Sequence, residues 1–353
     1  MMPRITRPRL LALGAGALAL ATLSANGGDR QVTDHGQHSA HSLSTTHGDL
    51  SPRTIAQIER VRRGIARYRD IDVARREGWK AFGADEPLMG QHWSPPEEFG
   101  LDYQSSSPDL DFAQPNNLMY TEIDGEMVLT GAAFVVRLGP GEQLPEGFAG
   151  DADRWHVHDF EKAILAATEK RPILRWLAKG WLKDNWLADG PEGRARAAMV
   201  HVWATLPNPD GAFADHNRVI PLLKHGMDPG HAHHLSLDAA RGLDLAAKDG
   251  CDNAYGGRLW IADASRRTRN RIMDSCKREA KQLAAALEGH RDHPAHLFGD
   301  AERAYRNVQT VFENELTPEQ RARIAAMSEH GHSGDGGEHG GHSEHGGHAH
   351  SGH

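Results

Sequence analysis

The chain has 353 residues and a formal net charge of −8 with histidine neutral, enough for one large domain or two smaller ones. Acids and bases are interspersed, so the basic footprint of a nucleic-acid binder is absent. No strand is followed by G-x-G-x-x-G, and there is neither a P-loop nor a G-x-S-x-G elbow, so dinucleotide, nucleotide and serine-hydrolase chemistry lack support.

Arg4, Arg7 and Arg9 precede an apolar run from Leu10 to Leu23, the pattern of an export signal. Cleavage after Ala25 would place Leu23 at −3, and Ser24 and Gly27 are alternative ends; the other reading is an uncleaved anchor, for which the run is short. We therefore expect a signal over 1–25 and a periplasmic or secreted protein without an integral membrane segment after cleavage. Residues 26–50 carry His35, His38, His41 and His47 in a polar stretch without an apolar period, which reads as a flexible linker.

The periodic sequence begins at Ser51, an N-cap followed by Pro at N1. Ile55, Ile58, Val61, Ile65 and Tyr68 then recur at helical spacing, and a second helical turn set ends at Gly78. The pattern then turns to strands. NLMYTEI and EMVLTGAAFVV flank Asp124-Gly125, a hairpin signal. WHVHDF and AMVHVWATL are two more strands. Between them lies a helical insert over about 160–188 with Ile164, Leu165, Ile173, Leu174, Trp176, Leu177, Trp181 and Leu182. After 230 the chain reads as helices over about 264–288, 299–315 and 318–328, the last opened by a Thr317–Gln320 capping box.

Cys251 and Cys276 are the two cysteines, read as one disulfide that would stabilise by about 3 kcal/mol, with two separate buried thiols as the alternative. The expected fold class is α+β: an antiparallel sheet core with helical insertions, followed by a small disulfide-linked helical module. The boundaries are an α+β domain over 51–222, a helical module over 223–328 and a His/Gly-rich tail over 329–353, expected to be disordered without a ligand.

Histidine is the compositional outlier at 24 residues, half of them in the two ends. On a strand, His156 and His158 share a face, about 6.5–7 Å apart, a spacing from which two imidazoles can converge on one ion. In AMVHVWATL, His201 lies on the face opposite Val200 and Val202, where it can supply a third ligand. His92, on a Pro-rich loop before the sheet, is a fourth candidate and His216 a weaker fifth. Each is also readable as a hydrogen-bonded core histidine, as a lone His201 more often is, and the neighbouring Trp93, Trp155 and Trp203 as pocket walls or equally as core. A second group, His231, His233 and His234, lies on a Gly/Pro loop with Met227 as a soft neighbour, or is a solvated linker. The tail histidines, among them His339, His342, His345, His348 and His350, suit loose binding of Zn or Cu. The expected cofactor is therefore a divalent transition metal, and metal ions are the expected partners.

Three resemblances attach to these residues. The order GQHW, NNLMY, VLTGAAFVV, WHVHDFE and VHVWATLPNPDGAFADHN, over residues 88–217, resembles an uncharacterised family of exported bacterial proteins and, more distantly, plant oil body-associated proteins; Phe134 stands where that group usually has Tyr. The resemblance implies a shared fold and a histidine cleft of His92, His156, His158 and His201. GDADRWHVHDFE is similar to the first cupin motif, although Glu161 follows the second histidine too soon. LTPEQRARI is similar to the LTxxQ motif of periplasmic stress and zinc-resistance chaperones.

Function classes follow in order. The first is an exported metal-binding protein without a reaction of its own. The second is a cupin-like or other His-ligated metalloenzyme, with Asp159, Glu161 or Glu122 as general base. The third is a structural protein whose histidines belong to the core.

Overall fold

A computed structural model describes residues 50–95, 104–105, 110–138, 143–159, 165, 168, 171–186, 196–290 and 294–327. The export signal, residues 26–49 of the linker, Glu161 and the tail histidines His339, His342, His345, His348 and His350 lie outside the described residues.

Ser51 caps helix α1 (Pro52–Ile65) by accepting from the Thr54 amide at 3.1 Å, and Ile58, Val61 and Ile65 form its buried stripe. Asp70 caps α2 (Ile71–Arg76) in the same way. Seven strands follow among the described residues: β1 (Lys80–Glu86), β2 (Gly90–Ser94), β3 (Gln104–Ser105), β4 (Asn117–Ile123), β5 (Glu126–Leu138), β6 (His156–Asp159) and β7 (Arg196–Val202). Hydrogen bonding orders them β1-β2-β4-β5-β7-β6, all antiparallel, with the short β3 alongside β5 in parallel. The β4–β5 turn uses Asp124 and Gly125, both at positive φ, as a two-residue hairpin of matching twist requires.

Sequence periodicity misses β1, β2 and β3, and β2 is the one bearing His92. Lys80–Glu86 and Gly90–Ser94 pair as a hairpin, so His92 stands on β2, opposite Met119 of β4, rather than on a loop before the sheet. KAFGADEPLMGQHW has no clean alternation, and its turn places Leu88 at φ 62, where a non-glycine residue gives no signal. Leu88 is fully buried in the helical core, and its amide donates to Asp244 Oδ2 at 2.8 Å.

Residues directly opposite on antiparallel strands share a face. One face carries Tyr120, Phe134, Val136, Val200 and Val202 and is covered by α1, with Trp93 buried in the same core and Trp155 packed against it. The other carries Met119, Ala133, Val135, Ala197 and Met199, packed with Trp203 and Ile220. His92, His156, His158 and His201 belong to this second face by register.

The helices that follow are α4 (Val219–Lys224), α5 (Leu237–Ala246), α6 (Gly257–Ile261), α7 (Arg266–His290), α8 (Pro294–Glu315) and α9 (Pro318–Met327); α3 (Pro172–Trp186) lies in the insert between β6 and β7. Thr317 and Gln320 bond reciprocally at the start of α9, the capping box read from TPEQ. The division drawn at 222/223 falls inside α4, whose Lys224 pairs with Asp85 of β1 and Asp244 of α5. No described helix is long and apolar enough to cross a membrane.

Cys251 and Cys276 form a disulfide across a separation of 25 residues, with both sulfurs in the apolar cluster of α6–α9. Replacing both cysteines by serine is expected to cost about 3 kcal/mol in urea unfolding, the loop-closure entropy of such a span. An unchanged unfolding midpoint would contradict that.

Candidate metal centre

Strand β7, between β5 and the edge strand β6, presents His201, buried to 1% exposure and opposite Ala133. Its neighbour β6 presents His156, at 5% exposure and opposite Met199, and His158, opposite Ala197. The imidazole centroids of His156 and His201 are 5.0 Å apart, and those of His156 and His158 4.9 Å. From strand β2, on the same face, His92 Nε2 meets His201 Nε2 at 3.2 Å. The residues between them on that face include Gly131 and Ala133, which leave room for the rings. A Cβ on Gly131 would stand 2.4 Å from the Val202 carbonyl oxygen, so glycine also lets β5 approach the end of β7 beside His201.

The acid that completes the group is Asp215. Its Oδ1 is 3.8 Å from His156 Nδ1, and the ligand-capable atoms of His156, His201 and Asp215 all lie within 4.8 Å of one another. The loop carrying it is tied on both sides. The Trp203 indole donates to Ala214 O at 2.6 Å, and the Asn208 amide donates to His216 O at 2.8 Å. Asn217 adds three bonds: its backbone N–H to Leu88 O, its side-chain amide to Pro207 O, and its side-chain oxygen from the Val219 amide. Asp215 thus sits between two fastened carbonyls in a segment that would otherwise be mobile.

This group can hold a metal ion. The centre of a triangle with 4.8 Å sides lies about 2.8 Å from its corners, so shifts of roughly 0.7 Å bring three ligands to the ~2.1 Å that imidazole and carboxylate adopt on Zn. The 3.8 Å between His156 and Asp215 is too long for a hydrogen bond but short enough to span one coordination shell.

Electrostatics favour the ligating form of imidazole. Burial first, and then the like charge of His158, push His92 down to about 4. Burial, followed by repulsion from His156, His92, His158 and His216, holds His201 well below its usual range. Both rings are therefore neutral at physiological pH, as ligation requires. His201 Nδ1 is buried and has no hydrogen-bond partner among the described residues.

The sequence-predicted residues divide. His92, His156, His158 and His201 are brought together, with His216 near enough to act electrostatically on His201. His231, His233 and His234 instead occupy a 3-10 turn over Pro229–His234; the first rests against Phe298, the other two are exposed, and Met227 is buried in the helical core. Among the described residues they form no ligand group with other donors. Of the candidate bases, Glu122 is engaged by Lys248 at 2.7 Å, and Asp159 lies opposite Arg196 at the end of the strand pair. Asp215 is the residue sequence reading passed over in favour of its neighbour His216. Trp203 joins His201 on this face as a wall, whereas Trp93 and Trp155 pack in the core on the opposite side.

Comparison with protein-family models, curated proteins and solved structures returned no match for this chain.

Proposed function

We propose that this is an exported protein that captures a divalent transition metal, Zn or Cu, at a buried site built from His156, His201 and Asp215. The observation that carries the reading is the mutual approach of these three donor groups in a site whose His201 is held neutral by burial. Export is supported by the charged and apolar pattern of the first 25 residues and by a disulfide, which fits an oxidising compartment. The His-rich tail would add loose sites of its own.

His92 takes the place of a partner to a ligand in this reading. If His201 Nε2–H donates to His92 Nε2, then His201 Nδ1 presents its lone pair, and this is the nitrogen left without a partner. The opposite tautomer would bury an unsatisfied N–H. His92 then fixes the tautomer and the ring orientation of the ligand. His158, half-exposed beside His156, stands at the solvent side of the group.

The test is metal titration of the full chain, wild type against His156→Ala and Asp215→Asn. One tight equivalent is expected to disappear in each variant while the loose equivalents remain, and His92→Gln is expected to weaken that equivalent 10- to 100-fold without abolishing it. Variants that retain every tight equivalent would refute the site.

A metalloenzyme is the second reading, favoured by one observation. The compact group offers two imidazoles and one carboxylate, which leaves a position on a four-coordinate ion for water. The chemistry so supplied would be a polarised water or carbonyl.

A further inference from the structure

Helix α3 (Pro172–Trp186) contradicts the usual logic of a surface helix. Such a helix turns its apolar arc inward and its charges to water. At 3.6 residues per turn, Ile173, Leu174, Trp176 and Leu177 fall within an arc of about 160°, with Arg171, Arg175 and Lys179, each four residues apart, on the other side. Yet the apolar arc faces out. Ile173 is 74% and Trp176 73% exposed, and Leu174 and Leu177 are exposed as well. The basic edge is the one attached to the protein: Arg175 Nη1 donates to Leu165 O at 2.6 Å, and the Arg171 guanidinium lies 5.9 Å from the Trp260 ring. Four of the seven large apolar side chains exposed among the described residues stand on this helix, a concentration rather than a scatter.

We propose that α3 is an interfacial helix that lays this arc into the headgroup layer of an anionic bilayer. Charge supports that occupant. The helix carries Arg175, Lys179 and Lys183 against Asp184 in a chain of net charge −8, so an anionic surface attracts this helix and repels most of the rest. Lys179 is exposed at the margin of the arc, where a long basic side chain reaches a phosphate while its stem stays apolar. Trp176 supplies the aromatic anchor typical of the interface. A second copy of the chain is a poorer occupant, because a stable dimer engages about 20–30 residues a side and the arc offers four. The inference is independent of the metal site.

The test uses the full chain in chelator, so that no metal bridges protein and lipid, mixed with vesicles of phosphatidylglycerol and phosphatidylcholine or of phosphatidylcholine alone. Amide exchange over residues 172–180 is expected to slow at least tenfold on the anionic vesicles only, and to recover in high salt. Ile173→Asp with Leu177→Asp should abolish the slowing, and the milder Trp176→Ala should reduce it at unchanged far-UV circular dichroism. Unchanged exchange on anionic vesicles overturns the proposal, as does equal slowing on the neutral ones. Slowing without lipid that grows with protein concentration overturns it in favour of a second copy.

Discussion

Replacing Asp244 by alanine is expected to destabilise the protein by about 3–5 kcal/mol, the usual cost of removing one partner from a buried ion pair. Asp244 Oδ1 takes the Lys224 ammonium at 2.8 Å, and both side chains are buried. Its other oxygen accepts the amide of Leu88, the left-handed residue at the tip of the β1–β2 hairpin. Burial alone would lower Lys224; the carboxylates of Asp244 and Asp85 more than offset it and hold the ammonium above its usual range. Asp85 in turn is pushed up by burial against the pull of Lys224, so it is a poor substitute once Asp244 is gone. Alanine at 244 strands a buried cation and a backbone donor together. Asp244→Asn, which can still accept from Leu88 but cannot neutralise Lys224, should fall between. Urea unfolding gives both differences. A loss below about 1 kcal/mol for the alanine variant would show that the Asp244 carboxylate is dispensable and that the remaining contacts of the hairpin, the packing of Leu88 among them, suffice to join it to the helices.

That network also explains what the sequence conceals. Local signals were legible where one residue type meets one backbone demand: Ser51 and Thr317 at helix starts, and Asp124-Gly125 at a turn that needs two positive φ angles. Strand parity likewise set His156 and His158 on one face and His201 on the side away from Val200 and Val202. The β1–β2 hairpin was not legible, because its turn is held by an acid 156 residues away and not by its own composition. Asp215 was hidden for a related reason. A single acid in a loop has no period, and it takes long-range bonds, among them those from Trp203 and Asn208, to bring its segment back over β7. The insert bearing α3 was legible as a helix, but the exposure of its apolar residues was not, because periodicity reports that a helix has a face and is silent on what lies opposite it.

Acidifying the metal-free protein is expected to expose the cost of the buried imidazoles. His92 has its usual 6.5 in the unfolded chain and about 4 in the folded one. Above 6.5 both states carry it neutral, and its contribution to stability is complete. Below 6.5 the unfolded chain takes up a proton that the folded site refuses, so stability falls until the pH reaches about 4. That interval corresponds to about 3 kcal/mol for His92 alone, and His201, shifted in the same direction by the same burial, adds to it. Carboxylates held high by burial, such as Asp85 and Asp153, act in the opposite sense over the lower part of the range, so the whole-protein slope is not diagnostic. The diagnostic quantity is the difference between wild type and His92→Gln, whose amide can still bond His201 but cannot titrate. Urea unfolding in chelator at pH 7 and at pH 4 should show the wild type losing about 3 kcal/mol more than the variant over that interval. Parallel losses would mean that water reaches the ring, and an imidazole in contact with water would protonate near its ordinary value instead of remaining neutral beside His201.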